Sequence, residues 1–152
     1  MLYSPIANVR DNVQHYVMRG YEQIINPTFS SDTVWTTNTE WTISGGYLTY
    51  DGTAGTSAIS QTGLTGLVLG KTYRIEINCI SNQGAGGNNI YLGSQLIAAP
   101  HLEAGTFVKT FVYSGTGSFF IYGRASEVLV LDSVHLYEIN TDTPINSLRQ
   151  GS

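Results

Sequence analysis

Residues 71–81 read KTYRIEINCIS. Tyr73, Ile75, Ile77 and Cys79 recur at a period of two, and Thr72, Arg74, Glu76 and Asn78 fill the alternate positions. That alternation marks a strand with one face toward a core and one toward water. Fully burying a large apolar side chain is worth about 1.5–3 kcal/mol. A slip of one residue would bury Arg74 and Glu76 instead. The stretch therefore predicts a strand with Tyr73, Ile75, Ile77 and Cys79 inside.

The same kind of pattern runs in both directions from this strand. Residues 40–53, EWTISGGYLTYDGT, place two short runs around Gly45-Gly46, a hairpin signal. Further candidate strands are YEQIIN (21–26), SAISQTG (57–63), GLVLG (66–70) and IYLGSQLI (90–97). TFVKTFVYS (106–114), SFFIYGR (118–124) and EVLVLDSVHLYEI (127–139) complete the set. NQGAGGNN (82–89) reads as a flexible turn. The expectation is an all-β jelly-roll sandwich of about eight to ten antiparallel strands. In the last run Leu129 and Leu131 are out of phase with Val134 and Leu136, with Asp132 at the switch. A β-bulge or a strand crossing a sandwich corner accounts for that.

Three divisions follow: an N-terminal attachment helix or arm (1–20), the sandwich (21–140) and a polar, aperiodic tail (141–152). Ser4-Pro5 suits a helix start, Gly20 suits the position just past its end, and Val9, Val13, Tyr16 and Val17 form an apolar stripe. An extended arm is the alternative. Either way the stripe needs a partner surface, such as the chain's own sandwich, a copy of itself or another protein.

Charged residues make up 12% of the 152, with a net charge of −4. Two lysines and five scattered arginines leave no basic stripe for phosphates, so nucleic-acid binding is not expected. The first 20 residues lack the pattern of a signal peptide. No run approaches the ~20 apolar residues of a membrane span. Cys79 is the single cysteine, so no intrachain disulfide forms, and it reads as a buried apolar residue.

His15, His101 and His135 lack metal-ligand spacing, and the eleven acids are dispersed, so no catalytic centre is expected. His135 alternates with Val134 and Leu136 and reads as solvated. The aromatic and amide content suits sugar recognition. Trp41 reads as core, whereas the polar, loop-like run SSDTVWTTNTEW (30–41) allows Trp35 to be exposed, with core or sheet packing the other reading for each of these aromatics. Trp35, Tyr91 and Tyr122 are the candidate ligand-binding aromatics, although they come from separate segments.

Five segments in order resemble the galactose-binding-like jelly-roll modules related to carbohydrate-binding modules. NPTFSSD (26–32) is similar to an NGxF start, with Pro27-Thr28 in place of Gly-Asp. EWTISGGYLTYDGT followed by SAISQTGL (57–64) resembles the family's W…GG hairpin and Gln strand. LGKTYRIEI (69–77), EAGTFVKTFVY (103–113) and VLVLDSVHLYEI (128–139) resemble GKTYxVxF, AGTYxxTF and IDNVSVxEI. Such modules occur as appendages of polysaccharide-degrading enzymes and in bacteriophage tail and capsid-decorating proteins. The resemblance implies a structural calcium ion with Asp132 and Glu22 as ligands; Asp132 capping a bulge is the other reading. The expected function is a non-enzymatic virion protein, a capsid-decoration or tail component made in the host cytoplasm. Its expected partners are other virion proteins and copies of itself, with a surface glycan as a further ligand and no membrane. The alternative is a carbohydrate-binding module.

Overall fold

The structure is a computed structural model that describes residues 18–140 other than residue 85. The N-terminal helix or arm with Val9, Val13, Tyr16 and Val17, and the tail 141–152, lie outside the described residues.

Among the described residues ten strands form in order: β1 (Met18–Glu22), β2 (Trp41–Ser44), β3 (Tyr47–Asp51), β4 (Ser57–Gln61), β5 (Thr72–Gln83), β6 (Ile90–Leu92), β7 (Gln95–Ala98), β8 (Gly105–Val112), β9 (Phe119–Gly123) and β10 (Val128–Asn140). One sheet has the order β2-β3-β10-β5-β8, with β1 also on β10; the other has β4-β9-β6-β7. All ladders are antiparallel. The strands nest as pairs β3/β10, β4/β9, β5/β8 and β6/β7, which alternate between the two sheets. This nesting is the jelly-roll topology, and the all-β sandwich is as the alternation implied.

Strand β5 sits inside its sheet, and Tyr73, Ile75, Ile77 and Cys79 all point into the core. Its partner β10 is long enough to serve two neighbours on its other edge. Val128–Leu131 pair with β3, and the far end pairs with β1. The phase switch at Asp132 is a bulge: Leu131 faces Cys79 and Ser133 faces Asn78, leaving Asp132 unmatched. A second irregularity leaves Ile80 unmatched on β5. Leu129, Leu131, Val134 and Leu136 are consequently all buried. The β2–β3 turn uses Gly45 and Gly46 at φ 63° and 82°, the left-handed pair that a two-residue hairpin requires.

Four local expectations are corrected. The first strand is Met18–Glu22 and not 21–26, so Met18, Arg19 and Gly20 belong to a sheet and not to the end of a helix. Residues 66–70 form no strand: Gly70 bonds back to Tyr113 as a loop, leaving Val68 and Leu69 exposed. Trp35 lies in the core at 5% exposure, between Phe29 and Phe119. Its indole N–H donates to the Asn26 carbonyl at 3.1 Å. Its neighbours at 30–34 and 36–39 are exposed, and Val34 before it adopts φ 66°. His135 is not simply solvated, since its Nδ1 lies 2.7 Å from a Glu22 carboxylate oxygen.

Candidate functional site

The four-stranded sheet has an outer face that the alternation of β4, β6, β7 and β9 defines. Ile59, Ile90, Leu92, Phe119 and Ile121 point inward and are fully buried. The alternate positions form rows across the outside. Ser60 on β4 is opposite Phe120 on β9, Phe120 is opposite Tyr91 on β6, and Tyr91 is opposite Leu96 on β7. In the next row Ala58 faces Tyr122, whose backbone N–H bonds the Asn89 carbonyl at 2.9 Å.

Tyr91 and Tyr122, two of the three expected aromatics, meet here. Their ring centroids are 5.7 Å apart in an edge-on arrangement. Phe120 stacks beside Tyr122 at 6.5 Å. All three are half-buried, with part of each ring open to solvent. Aromatic pairs at these separations are mutually stabilising. Phe120 was not singled out from sequence. The period-two run Phe120, Tyr122 in SFFIYGR was the signal, because residues two apart on a strand share a face.

Polar groups edge the cluster. The Asn89 amide donates to the Tyr91 hydroxyl at 3.5 Å. The Arg124 guanidinium donates from Nη2 to Asn89 Oδ1 at 3.3 Å and from Nε to the Gly87 carbonyl. Thr36 bridges to Ser60 and covers the free edge of β4. Flat aromatic faces flanked by amide, hydroxyl and guanidinium donors are suited to a ligand with apolar ring faces and a hydroxyl rim.

Behind this face a polar knot fixes the loops that carry it. Glu127 is 1% exposed. Its carboxylate accepts from Asn82 Nδ2 at 2.7 Å, from Asn88 Nδ2 at 2.8 Å and from the Arg124 backbone N–H at 3.0 Å. Asn88 is fully buried and accepts from the Leu102 N–H at 3.1 Å. The knot thereby ties the Gly-rich loop, the loop after β7 and the turn after β9 to one carboxylate. Gly52 and Gly123 allow the Tyr50 ring and the turn after β9 to approach closely, since a Cβ at either would run into them.

The calcium ligands implied by the resemblance are not brought together. Glu22 accepts from the N–H groups of Ile24 at 3.2 Å and Leu136 at 2.6 Å, besides its contact with His135. Asp132 is exposed at the bulge, four residues along β10 from Leu136, or about 13 Å at an extended rise. Donor groups therefore surround the Glu22 carboxylate where a calcium ion needs oxygens, and the donor set does not fit that ion. Among the described residues no group of three or more His, Cys, Asp or Glu side chains is placed to hold a metal.

No family model matches the chain, and no curated protein matches it significantly. Two solved structures are similar in outline. One is a CBM4 structure, 18% identical, with TM-score 0.46, covering 76% of this chain and 99% of that one. The other is a single-site variant of CBM29-2, a family 29 carbohydrate-binding module, 12% identical, with TM-score 0.47, covering 80% of this chain and 92% of that one.

Proposed function

We propose that the protein is a carbohydrate-binding module that takes a glycan chain on the outer face of the β4-β9-β6-β7 sheet. The observation that carries this reading is the contact cluster of Tyr91, Phe120 and Tyr122 on that face, edged by Asn89 and Arg124. The C–H faces of a pyranose stack on aromatic rings, and its hydroxyls bond to amide and guanidinium donors. The role is binding without catalysis. Packing alone is a weaker account of the cluster, because this face needs no large aromatics to close the core behind it. Ile59, Ile90, Leu92, Phe119 and Ile121 already fill that side and are fully buried.

The test is affinity electrophoresis against a panel of soluble polysaccharides. Tyr122→Ala and Tyr91→Ala should each weaken retention by about tenfold or more, as expected for losing an aromatic contact of 1–2 kcal/mol. Both should keep the native tryptophan fluorescence, since neither ring lies in the core. Retention equal to wild type in both variants would place binding elsewhere or nowhere.

Attachment of the chain to a virion through residues 1–20 is a separate proposal, supported by the stripe of Val9, Val13, Tyr16 and Val17 in the sequence alone.

A further inference from the structure

We propose that the glycan taken by this face is anionic, with its carboxylate or sulfate ester held by Arg124. This inference rests on the carbohydrate-binding reading above and deepens it.

Arg124 continues the outward series of Phe120 and Tyr122, one step past the end of β9. It is half-buried and fixed in place. Its Nε donates to the Gly87 carbonyl and its Nη2 to Asn89 Oδ1, and Asn89 in turn reaches the Tyr91 hydroxyl. Its stem lies against Gly86, where an added Cβ would come within 2.8 Å of Arg124 Cγ. The guanidinium is thus tied to the rim of the aromatic cluster and held in one orientation.

Its charge has no ion-pair partner among the described residues. Lys71–Glu138, Arg74–Glu76 and His135–Glu22 form ion pairs, and none of these involves Arg124. Glu127, three residues on, receives the Arg124 backbone N–H and the two asparagine amides. The other side chains named on this face are neutral, and Arg124 is the charged group among them. A partly desolvated cation without a counterion is costly. Two of the five guanidinium donors are engaged, and the rest form a fork suited to a carboxylate or sulfate oxygen pair. The net charge of −4 means that general attraction would not draw a polyanion to this protein. A preference for one must therefore come from a local site.

The full chain should be titrated with polygalacturonate, its methyl ester, dextran sulfate and dextran. At least one acidic polymer should bind about tenfold or more tightly than its neutral counterpart, as a charge-assisted hydrogen-bonded contact provides. Added salt should erode that difference. Which acid is preferred distinguishes carboxylate from sulfate. Arg124→Gln should remove the preference, and Tyr122→Ala should weaken binding of acidic and neutral polymers alike by about tenfold or more. Equal binding of acidic and neutral forms, or a preference that survives Arg124→Gln, overturns the anionic assignment and leaves the glycan reading standing. No binding to any polymer, or binding indifferent to Tyr122→Ala, overturns both. Should Arg124→Gln fail to fold, the acid and ester arms with the wild-type chain decide.

Discussion

Glu127 shows how much one side chain organises here. A carboxylate withdrawn from water is expensive unless its lone pairs are filled, and this one is filled by amides and a backbone N–H, with no ion-pair partner among the described residues. Replacing it by alanine leaves several buried donors without an acceptor. Glu127→Ala should therefore destabilise the fold by roughly 3 kcal/mol or more, read as a drop in the urea midpoint. A change under 1 kcal/mol would mean that water or a rearranged loop replaces the carboxylate. None of this was legible in the sequence, where Glu127 looks like an ordinary polar start to a strand. Its partners Asn82 and Asn88 are 45 and 39 residues away. Cys79 was legible, because its place in an alternating run implied burial. Burial raises its thiol pKa, which agrees with an inert structural cysteine.

Edges are where the strands show their design. Strand β8 closes one side of the larger sheet with Thr106, Val108, Thr110 and Val112 outward. On its inner side Phe107 and Phe111 pack on the core, but between them Lys109 stands opposite Ile75. An exposed edge strand is a template for pairing with another chain, and a lysine on its inward side opposes that pairing. Lys109→Val would leave an apolar edge from Phe107 to Val112, apart from Thr110. It should raise self-association measurably by light scattering at increasing concentration, with little change in the melting midpoint. A variant that stays monodisperse would show that other features guard the edge. Gln95 closes the corner beside it, accepting from the Ser114 N–H and donating to the Val112 carbonyl, both at 2.8 Å. Gln61 does the same for the chain leaving β1, pairing both its amide groups with the Ile25 backbone. These side chains stand in for ladder bonds that short strands cannot supply.

The described core runs from Ile24 to Tyr137 and is formed entirely within the sandwich. Removal of residues 1–17 should therefore leave a folded domain with β-type circular dichroism and a similar melting temperature. The cut belongs before Met18, because residues 18–22 pair with β10. If attachment is the role of the N-terminal stripe, that truncation also loses assembly with its partner. A truncated chain that unfolds would make the stripe part of the core. Local pattern was sufficient for the all-β class, the β2–β3 hairpin, the inward face of β5 and the phase switch at Asp132, which the pairing of β10 with β5 resolves as a bulge rather than a corner. Each depends on residues within a few positions of one another, where period and turn chemistry act directly. It failed for Trp35, for Glu22 with His135, and for the meeting of Tyr91, Phe120 and Tyr122. Those outcomes depend on which strands become neighbours. The pairing of β6 with β9, from Ile90–Ile121 to Leu92–Phe119, and of β1 with β10 across more than a hundred residues, is set by closing one core between two sheets. That closure decides which outward side chains share a face, and so where a ligand can lie.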